Sequence, residues 1–447
     1  MLISFDLENW RSFRDKSAFN LTASREKQHS DRLPHFEKYD LRLLPTAAIY
    51  GGNASGKSNF FSAFQFAQKI ITEGVRVNAA IPVLPFRLDI QSMKNPTYFR
   101  FVIAVPKEDN NSTQDECYEY SFAVSYSDVI EEELIQIKPS IEKSLFKRVK
   151  GKNTTFDDSI KRDENLYNIL NSTRNNQLFL TNAASQNIAR YKTNQLIRVY
   201  RWFERLTLVG TDMRVSTQLL WDWQQKDGLR LMGDVLESLG TGVTSLDFVD
   251  VSPEVSPFPT GIIETLLESS QNGSSVLAHQ NKQRYLIRRN DDSYEIKQLV
   301  SGHKDIKSKS IVRFDLRNES DGTVRVMDLL PCFLLAMKNN GVFVIDELDH
   351  SIHTLLISEL LRCYLSSCSP HSRSQIIFTT HDVMQMDQSL LRRDELWVTG
   401  RKNDGSTELI PFSSYKGIRK DKSIRTSYLR GQLGGVPRLH LSNVIEQ

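Results

Sequence analysis

Apolar and polar positions partly alternate with period two along residues 2–10, LISFDLENW, which predicts an opening strand, and residues 18–23, AFNLTA, predict a second. Residues 43–51, LLPTAAIYG, end in a short apolar run with the character of a buried strand. In SNFFSAFQFAQKIIT (58–72) the apolar positions recur at helical spacing. YFRFVIAV (98–105) and YEYSFAVSY (118–126) predict paired antiparallel strands around the polar loop KEDNNSTQDE (107–116). The first third of the chain is therefore expected to be a β-rich lobe with one strand–loop–helix unit embedded in it.

The pattern then changes. From about 160 to 245 helix signals dominate; in 188–206 the apolar Ile188, Tyr191, Leu196, Val199, Phe203 and Leu206 recur at three- to five-residue steps. Gly228 interrupts a further helical stretch, and the three prolines of VSPEVSPFPTG (251–261) mark a connector. ESSQNGSS (268–275) is the clearest flexible segment, and no heptad pattern lasts long enough for a coiled-coil arm. Trp202, Trp221 and Trp223 are expected in the core.

Order returns with RYLIRRNDDSYEIKQL (284–299), a strand–turn–strand pattern turning at 290–293. A helix over about 323–338, a strand at 341–346, a helix around 354–366 and a strand at 375–380 follow. A hairpin over 395–412 turns at Asn403, Asp404 and Gly405. Strands alternating with helices predict a parallel sheet with crossover helices, so the fold class is α/β. Three stretches result: a β-rich lobe over 1–140, a mainly helical insertion and connector over 141–280, and a second lobe over 281–447.

Composition adds little. The 57 basic and 54 acidic residues leave a net charge of +3, which neither favours nor excludes nucleic acid. Cys117, Cys332, Cys363 and Cys368 have no metal-ligand spacing, and reduced, mostly buried thiols are expected. Asp6 and Glu8 do not fit a secretory signal, and no apolar run approaches the roughly 18 residues that span a bilayer. A soluble, cytoplasmic protein with no membrane partner is expected.

Chemistry concentrates in residues 49–59, IYGGNASGKSN. Gly51, Gly56, Lys57 and Ser58 complete the phosphate-loop pattern, with a strand before it and a helix after it. Glycines let backbone N–H groups, including those of Asn53, Ala54, Ser55 and Asn59, converge on phosphate oxygens at a helix N-terminus. Lys57 would reach the β- and γ-phosphates of ATP, and the Ser58 hydroxyl would ligate Mg²⁺. VFVIDEL (342–348) is an apolar strand ending in two carboxylates: Asp346 suits Mg²⁺, and Glu347 suits the general base that polarises an attacking water. QIIFTTHD (375–382) delivers His381 to the carboxyl end of another strand, where a histidine can sense a γ-phosphate. ESDGTVRVMDLLP (319–331) is a polar turn leading into an apolar helix, either a second anion site or an ordinary helix cap.

This ordered set resembles ATP-binding-cassette ATPases of the SMC, RecF and overcoming-lysogenization type. GGNASGKSN has their G-x-N-x-S-G-K-S form, and ENWRSF (8–13), with Arg11, resembles their N-terminal strand signature. ESDGT stands where that family keeps its signature motif, DELDHSIH (346–353) resembles the D-loop segment with His353 in place of the usual aspartate, and His381 matches the switch histidine. Gln91 is the nearest match to a Q-loop glutamine. PFRLD (85–89), ESDGT and YLRGQLGGVPRL (428–439) resemble bacterial AAA ATPases of the RloA and abortive-infection group.

The resemblance implies an ABC-type ATPase head with a phosphate-loop core, an antiparallel β lobe and a helical insertion. It also implies a head-to-tail homodimer, open to higher oligomers, in which Ser320, Gly322 and Thr323 of one chain close over ATP held by the other, with Arg11 joining the nucleotide contacts. An ATP-driven switch in prokaryotic anti-phage defence, hydrolysing ATP with Mg²⁺ and acting on a separately encoded effector such as a nuclease, follows as the leading expectation. The tail over 415–447 is basic and short for a nuclease domain. The alternative is a RecF-like repair ATPase binding duplex DNA through Lys416, Arg419, Lys420, Lys422, Arg425 and Arg430 of that tail.

Overall fold

A computed structural model describes residues 1–106, 115–158, 164–186, 195–211, 228–252, 256–268, 275–280, 282–290, 293–338, 341–415 and 424–435. The chain forms two compact units: one of Met1–Gly210, Ala336–Leu348 and Leu361–Gln447, the other of Thr211–Leu335 and Asp349–Leu360. Of the three stretches set out above, 1–140 lies wholly in the first unit, while 141–280 and 281–447 each contribute to both. Residues 107–114, Ile188, Tyr191, Trp221, Trp223, 269–274 and most of the basic tail lie outside the described residues.

The first unit holds a six-stranded sheet in the order Thr207–Val209, Val342–Ile345, Gln375–Thr379, Thr46–Tyr50, Leu396–Arg401, Thr407–Pro411. The first five run parallel, and the last closes the predicted hairpin antiparallel. TAAIY, VFVI and QIIFT are buried at every position, because a parallel sheet covered on both faces selects continuous apolar runs rather than alternation. The expected α/β class holds. Thr207–Val209 falls inside the stretch expected to be helical; three residues are too few for a period to show.

A second, antiparallel sheet of seven strands runs Thr155–Phe156, Glu142–Val149, Val129–Ile137, Asp115–Val124, Thr97–Pro106, Leu2–Glu8, Ser17–Asn20. The predicted pair around the polar loop lies within it, extended by three strands that the sequence reading left unassigned. One hydrophobic core joins the two sheets through the helix Lys57–Thr72. That helix buries Phe60, Ala63, Phe64, Ala67, Ile70 and Ile71, an i, i+3, i+4 stripe. Phe64 meets Phe5 and Phe101 of the antiparallel sheet at centroid distances of 4.3 and 5.9 Å. Burial of each such ring stabilises the unit by about 1.5–3 kcal/mol. The helices Glu164–Asn171, Phe179–Ser185 and Gln195–Arg205 belong to this unit, and Trp202 is in its core, edge-on to Phe203.

The second unit, taken by itself, is built on the sheet Ser245–Asp250, Ser293–Lys304, Gln283–Asn290, Ser275–Gln280, with Ile311–Asp315 also paired to Ser293–Lys304. The helix Thr260–Glu268 packs Ile263 and Leu267 against Tyr285, Ile287 and Ile296 of that sheet. Gly228 is the first described residue of the helix Gly228–Ser238; the stretch it is expected to interrupt reaches back into residues 212–227, which lie outside the described residues. The chain crosses between the units after Gly210, Leu335, Leu348 and Leu360, and the second and fourth of these points fall within the helices Asp321–Met337 and Thr354–Ser367. Among the described residues no helix is long and apolar enough to cross a membrane. Cys117 and Cys332 are buried, and burial pushes both thiols up to about 12, but Cys363 is exposed and Cys368 half-buried, fewer buried thiols than expected.

Candidate functional site

Thr46–Tyr50, Val342–Ile345 and Gln375–Thr379 are parallel and in register, Phe378 pairing with Ile345 on one side and Ala48 on the other. Their carboxyl ends therefore open at one sheet edge, the place where parallel sheets bind ligands. The glycine loop, the two carboxylates and His381 all follow these strand ends.

The loop is held from behind. A Cβ on Gly51 would collide with Thr399, and one on Gly56 with Thr407, so both positions require glycine for the close approach. Gly56 also takes φ +112° at the helix N-cap. Ser55 Oγ lies 2.7 Å from Thr399 Oγ1, Thr407 Oγ1 donates to Ser55 O at 2.9 Å, and the Gly52 N–H donates to Gly435 O at 2.7 Å. With its back strapped to the hairpin, the loop leaves Asn53, Ala54 and Ser58 exposed on its open side. Asn59 sits in the first helical turn, donating to Ser12 Oγ at 2.8 Å and accepting from the Trp10 indole at 2.9 Å. ENWRSF thus anchors the phosphate-loop helix directly. Arg11 has φ 48°, and its N–H donates to Leu84 O at 2.7 Å. Partial burial pulls its guanidinium below the usual arginine range.

Lys57 is buried, its ammonium donating to Gly51 O at 2.7 Å and Gly52 O at 3.2 Å, with His381 Nδ1 at 3.3 Å. An ammonium donor assigns the accepting role to Nδ1, so in the neutral ring the proton sits on Nε2. That nitrogen stands 3.8 Å from Glu347 Oε1. Asp346 is buried, and its Oδ1 accepts from Thr379 Oγ1 at 2.5 Å. The same Thr379 oxygen accepts the Glu347 N–H at 2.8 Å, fixing the left-handed turn (φ 48°) by which Glu347 leaves the strand. One threonine hydroxyl therefore sets both carboxylates. The loop, Arg11, Glu347 and His381 line one cleft of about 860 Å³, together with residues 84–88, Arg401 and Gly405.

Ser320, Gly322 and Thr323 belong to the second unit. Ser320 Oγ accepts the Thr323 N–H at 3.1 Å, an N-cap on the helix Asp321–Met337. A Cβ on Gly322 would stand 2.6 Å from Ser351 O, so glycine alone lets the turn pack against that loop. Lys282, 2.6 Å from Asp321, holds the Asp321 carboxyl below the usual range. Gln91 is exposed on the short helix Ile90–Lys94 and does not line the cleft; His353 Nδ1 accepts the Leu355 N–H at 3.2 Å. Sequence reasoning missed Thr379, Thr399, Thr407 and Arg401, which carry no motif, although Arg87 stood within PFRLD.

A family model described as AAA domain, putative AbiEii toxin, Type IV TA system, matches residues 47–214 and 252–386. That is more than half of the chain, and the chain belongs to this AAA family. No curated protein matches it. Among solved structures it is similar to an SMC head bound to the C-winged helix domain of ScpA, at 12% identity over 92% of this chain and 96% of that one, with a TM-score of 0.39. The SMC head domain from Thermotoga maritima matches at 14% identity over 92% and 98%, TM-score 0.34. The Pyrococcus furiosus SMC head with an extended coiled coil, bound to the C-terminal domain of ScpA, matches at 12% identity over 92% and 95%, TM-score 0.33.

Proposed function

We propose that this protein is an ABC-type ATPase that works as a molecular switch in a prokaryotic anti-phage, abortive-infection system. ATP closes it into a head-to-tail homodimer, and hydrolysis reopens it. The observation that carries the reading is the meeting of Lys57, Glu347 and His381 at the open side of a phosphate loop, with Asp346 beside them. The family's description as a putative toxin of a type IV toxin–antitoxin system supports the defence setting and a separately encoded effector, for which a nuclease is the proposed class.

The loop's N–H groups and the helix N-terminus receive the phosphates, and Lys57 turns from the Gly51 and Gly52 carbonyls to the β- and γ-oxygens. The Ser58 hydroxyl and the Asp346 carboxylate are hard oxygen donors of the kind Mg²⁺ prefers, and they would hold it. Bound there, Mg²⁺ would neutralise charge building on the phosphates. Glu347 accepts the proton of the attacking water, and His381 Nε2–H is placed to hold the Glu347 carboxylate or a γ-phosphate oxygen. Ser320 of the partner subunit, at a helix N-terminus, supplies the second half of the γ-phosphate contacts. Contacts made only in the closed state are what shift the equilibrium toward it.

Lys57→Ala should abolish ATP binding, whereas Glu347→Gln should keep binding and slow hydrolysis by about 10²–10⁴-fold. Mixing inactive Lys57→Ala and Ser320→Arg chains should restore part of the activity, because a mixed dimer contains one intact site. Undiminished hydrolysis by Glu347→Gln would remove the mechanism, and no restoration on mixing would remove the shared site.

A further inference from the structure

A second cavity, of about 120 Å³, lies within the first unit at the amino end of the strand Val342–Ile345. The nucleotide cleft opens at the other end of that strand, so roughly 13 Å of extended chain separates the cavity from Asp346. Its remaining walls come from the end of the strand Thr97–Pro106 and from one face of the helix Gln195–Arg205. Among the described residues, the guanidinium groups of Arg198, Arg201, Arg205 and Arg373 line it, against the carboxylate of Asp115. Arg198 is buried and pairs with Glu116 at 2.9 Å. Arg373 is fixed by Asp115 at 2.9 Å and by the carbonyls of Ser372 and Pro370 at 2.7 and 3.1 Å. Glu204, on the same helix, stands outside the lining and acts on Tyr200, whose hydroxyl burial and then Glu204 and Glu73 push up. Arg198, Arg201 and Arg205 recur at i, i+3 and i+7, so like charges gather on one helix face and repel. The buried Trp202 adds an apolar wall, and low polarity strengthens every charge interaction beside it.

We infer that this arginine cavity binds a phosphate group, as a site separate from the phosphate loop. A guanidinium carries five N–H donors in a planar fork, so an arginine that holds a carboxylate can also serve a second acceptor. Forks converging from two sides suit a tetrahedral dianion, whose four oxygens accept from several of them at once, better than a flat carboxylate. A bound dianion would also offset the repulsion along the helix face. The volume takes one phosphate group and excludes a whole nucleotide, which needs roughly 300 Å³ or more. The occupant is therefore orthophosphate, or the phosphomonoester end of a small metabolite extending past the exposed Arg205. Orthophosphate is the product of the hydrolysis proposed above; the cavity itself does not depend on that reading.

The test is isothermal titration calorimetry of the full chain carrying Lys57→Ala, which silences the phosphate loop. Orthophosphate and glycerol 3-phosphate are titrated at constant ionic strength, with sulfate as competitor. One of the two should saturate a single site per chain with a sub-millimolar Kd, and sulfate should displace it; the tighter ligand names the source. Arg201→Gln and Arg205→Gln, on the more open wall, should each weaken binding by about tenfold with the urea midpoint unchanged. Arg198→Lys, which keeps the charge but loses the fork, should weaken it similarly. No saturation by about 10 mM ligand, equal displacement by chloride, or undiminished binding after Arg201→Gln and Arg205→Gln together would each overturn the inference. Duplex DNA held through these arginines without uptake of either phosphate ligand would overturn it too, and assign the face to nucleic acid. Phosphate binding to the wild type that Lys57→Ala abolishes would place the phosphate at the loop alone, ending this inference while leaving the nucleotide reading intact.

Discussion

Thr379 does more at the site than its place at the end of a strand suggests. Its hydroxyl donates to Asp346 and accepts from the Glu347 backbone, so one oxygen sets the direction of the buried carboxylate and the turn that presents the half-buried one. Thr379→Val keeps the shape and removes the hydroxyl. It should cost about 1–3 kcal/mol of stability by urea denaturation, since a buried acceptor loses a donor. Hydrolysis should fall by about tenfold or more, because a misplaced base loses its alignment with the water. Unchanged turnover would mean that Glu347 is positioned by other groups. Lys57, Ser58, Asp346, Glu347 and His381 were legible because each lies directly after an apolar strand or inside a spaced glycine motif. Thr379, Thr399 and Thr407 were not: a threonine in a strand looks like any β-branched strand former, and only the folded neighbours reveal what its oxygen touches.

At the scale of elements, the helix Lys57–Thr72 connects the site to the core. Its N-terminus carries the loop, and its buried stripe is sandwiched against aromatic rings from the antiparallel sheet. Phe64→Ala should therefore cost about 3–5 kcal/mol in chemical denaturation, with a cavity left among Phe5, Phe60 and Phe101. A loss below about 1 kcal/mol would show that this ring does not tie the helix to the sheet. The long strands, this helix and the closing hairpin were readable from period and turn chemistry. Thr207–Val209 was not, because it is too short to show a period and its partner Val342–Ile345 lies far along the chain. Val129–Ile137 did carry an alternating signal, visible in its buried positions, and lies in the stretch expected to be β-rich, yet the sequence reading assigned no strand there.

For the whole molecule, the first unit supplies the loop, both carboxylates and the histidine, while the second supplies the Ser320–Thr323 turn, by a chain that passes back and forth between them. Sequence order alone placed the cuts near 140 and 280, since the hydrophobic pattern changes between them, whereas contact partners are fixed by long-range pairing that the local pattern does not encode. The central proposal is that two chains share each nucleotide. The most direct test is native mass spectrometry of the Glu347→Gln protein with ATP and Mg²⁺, where the trapped state accumulates. A particle of two chains, or an even multiple, with one ATP per chain and dissociation when ATP is withdrawn is the predicted result. A single chain holding one ATP at every protein concentration would contradict it.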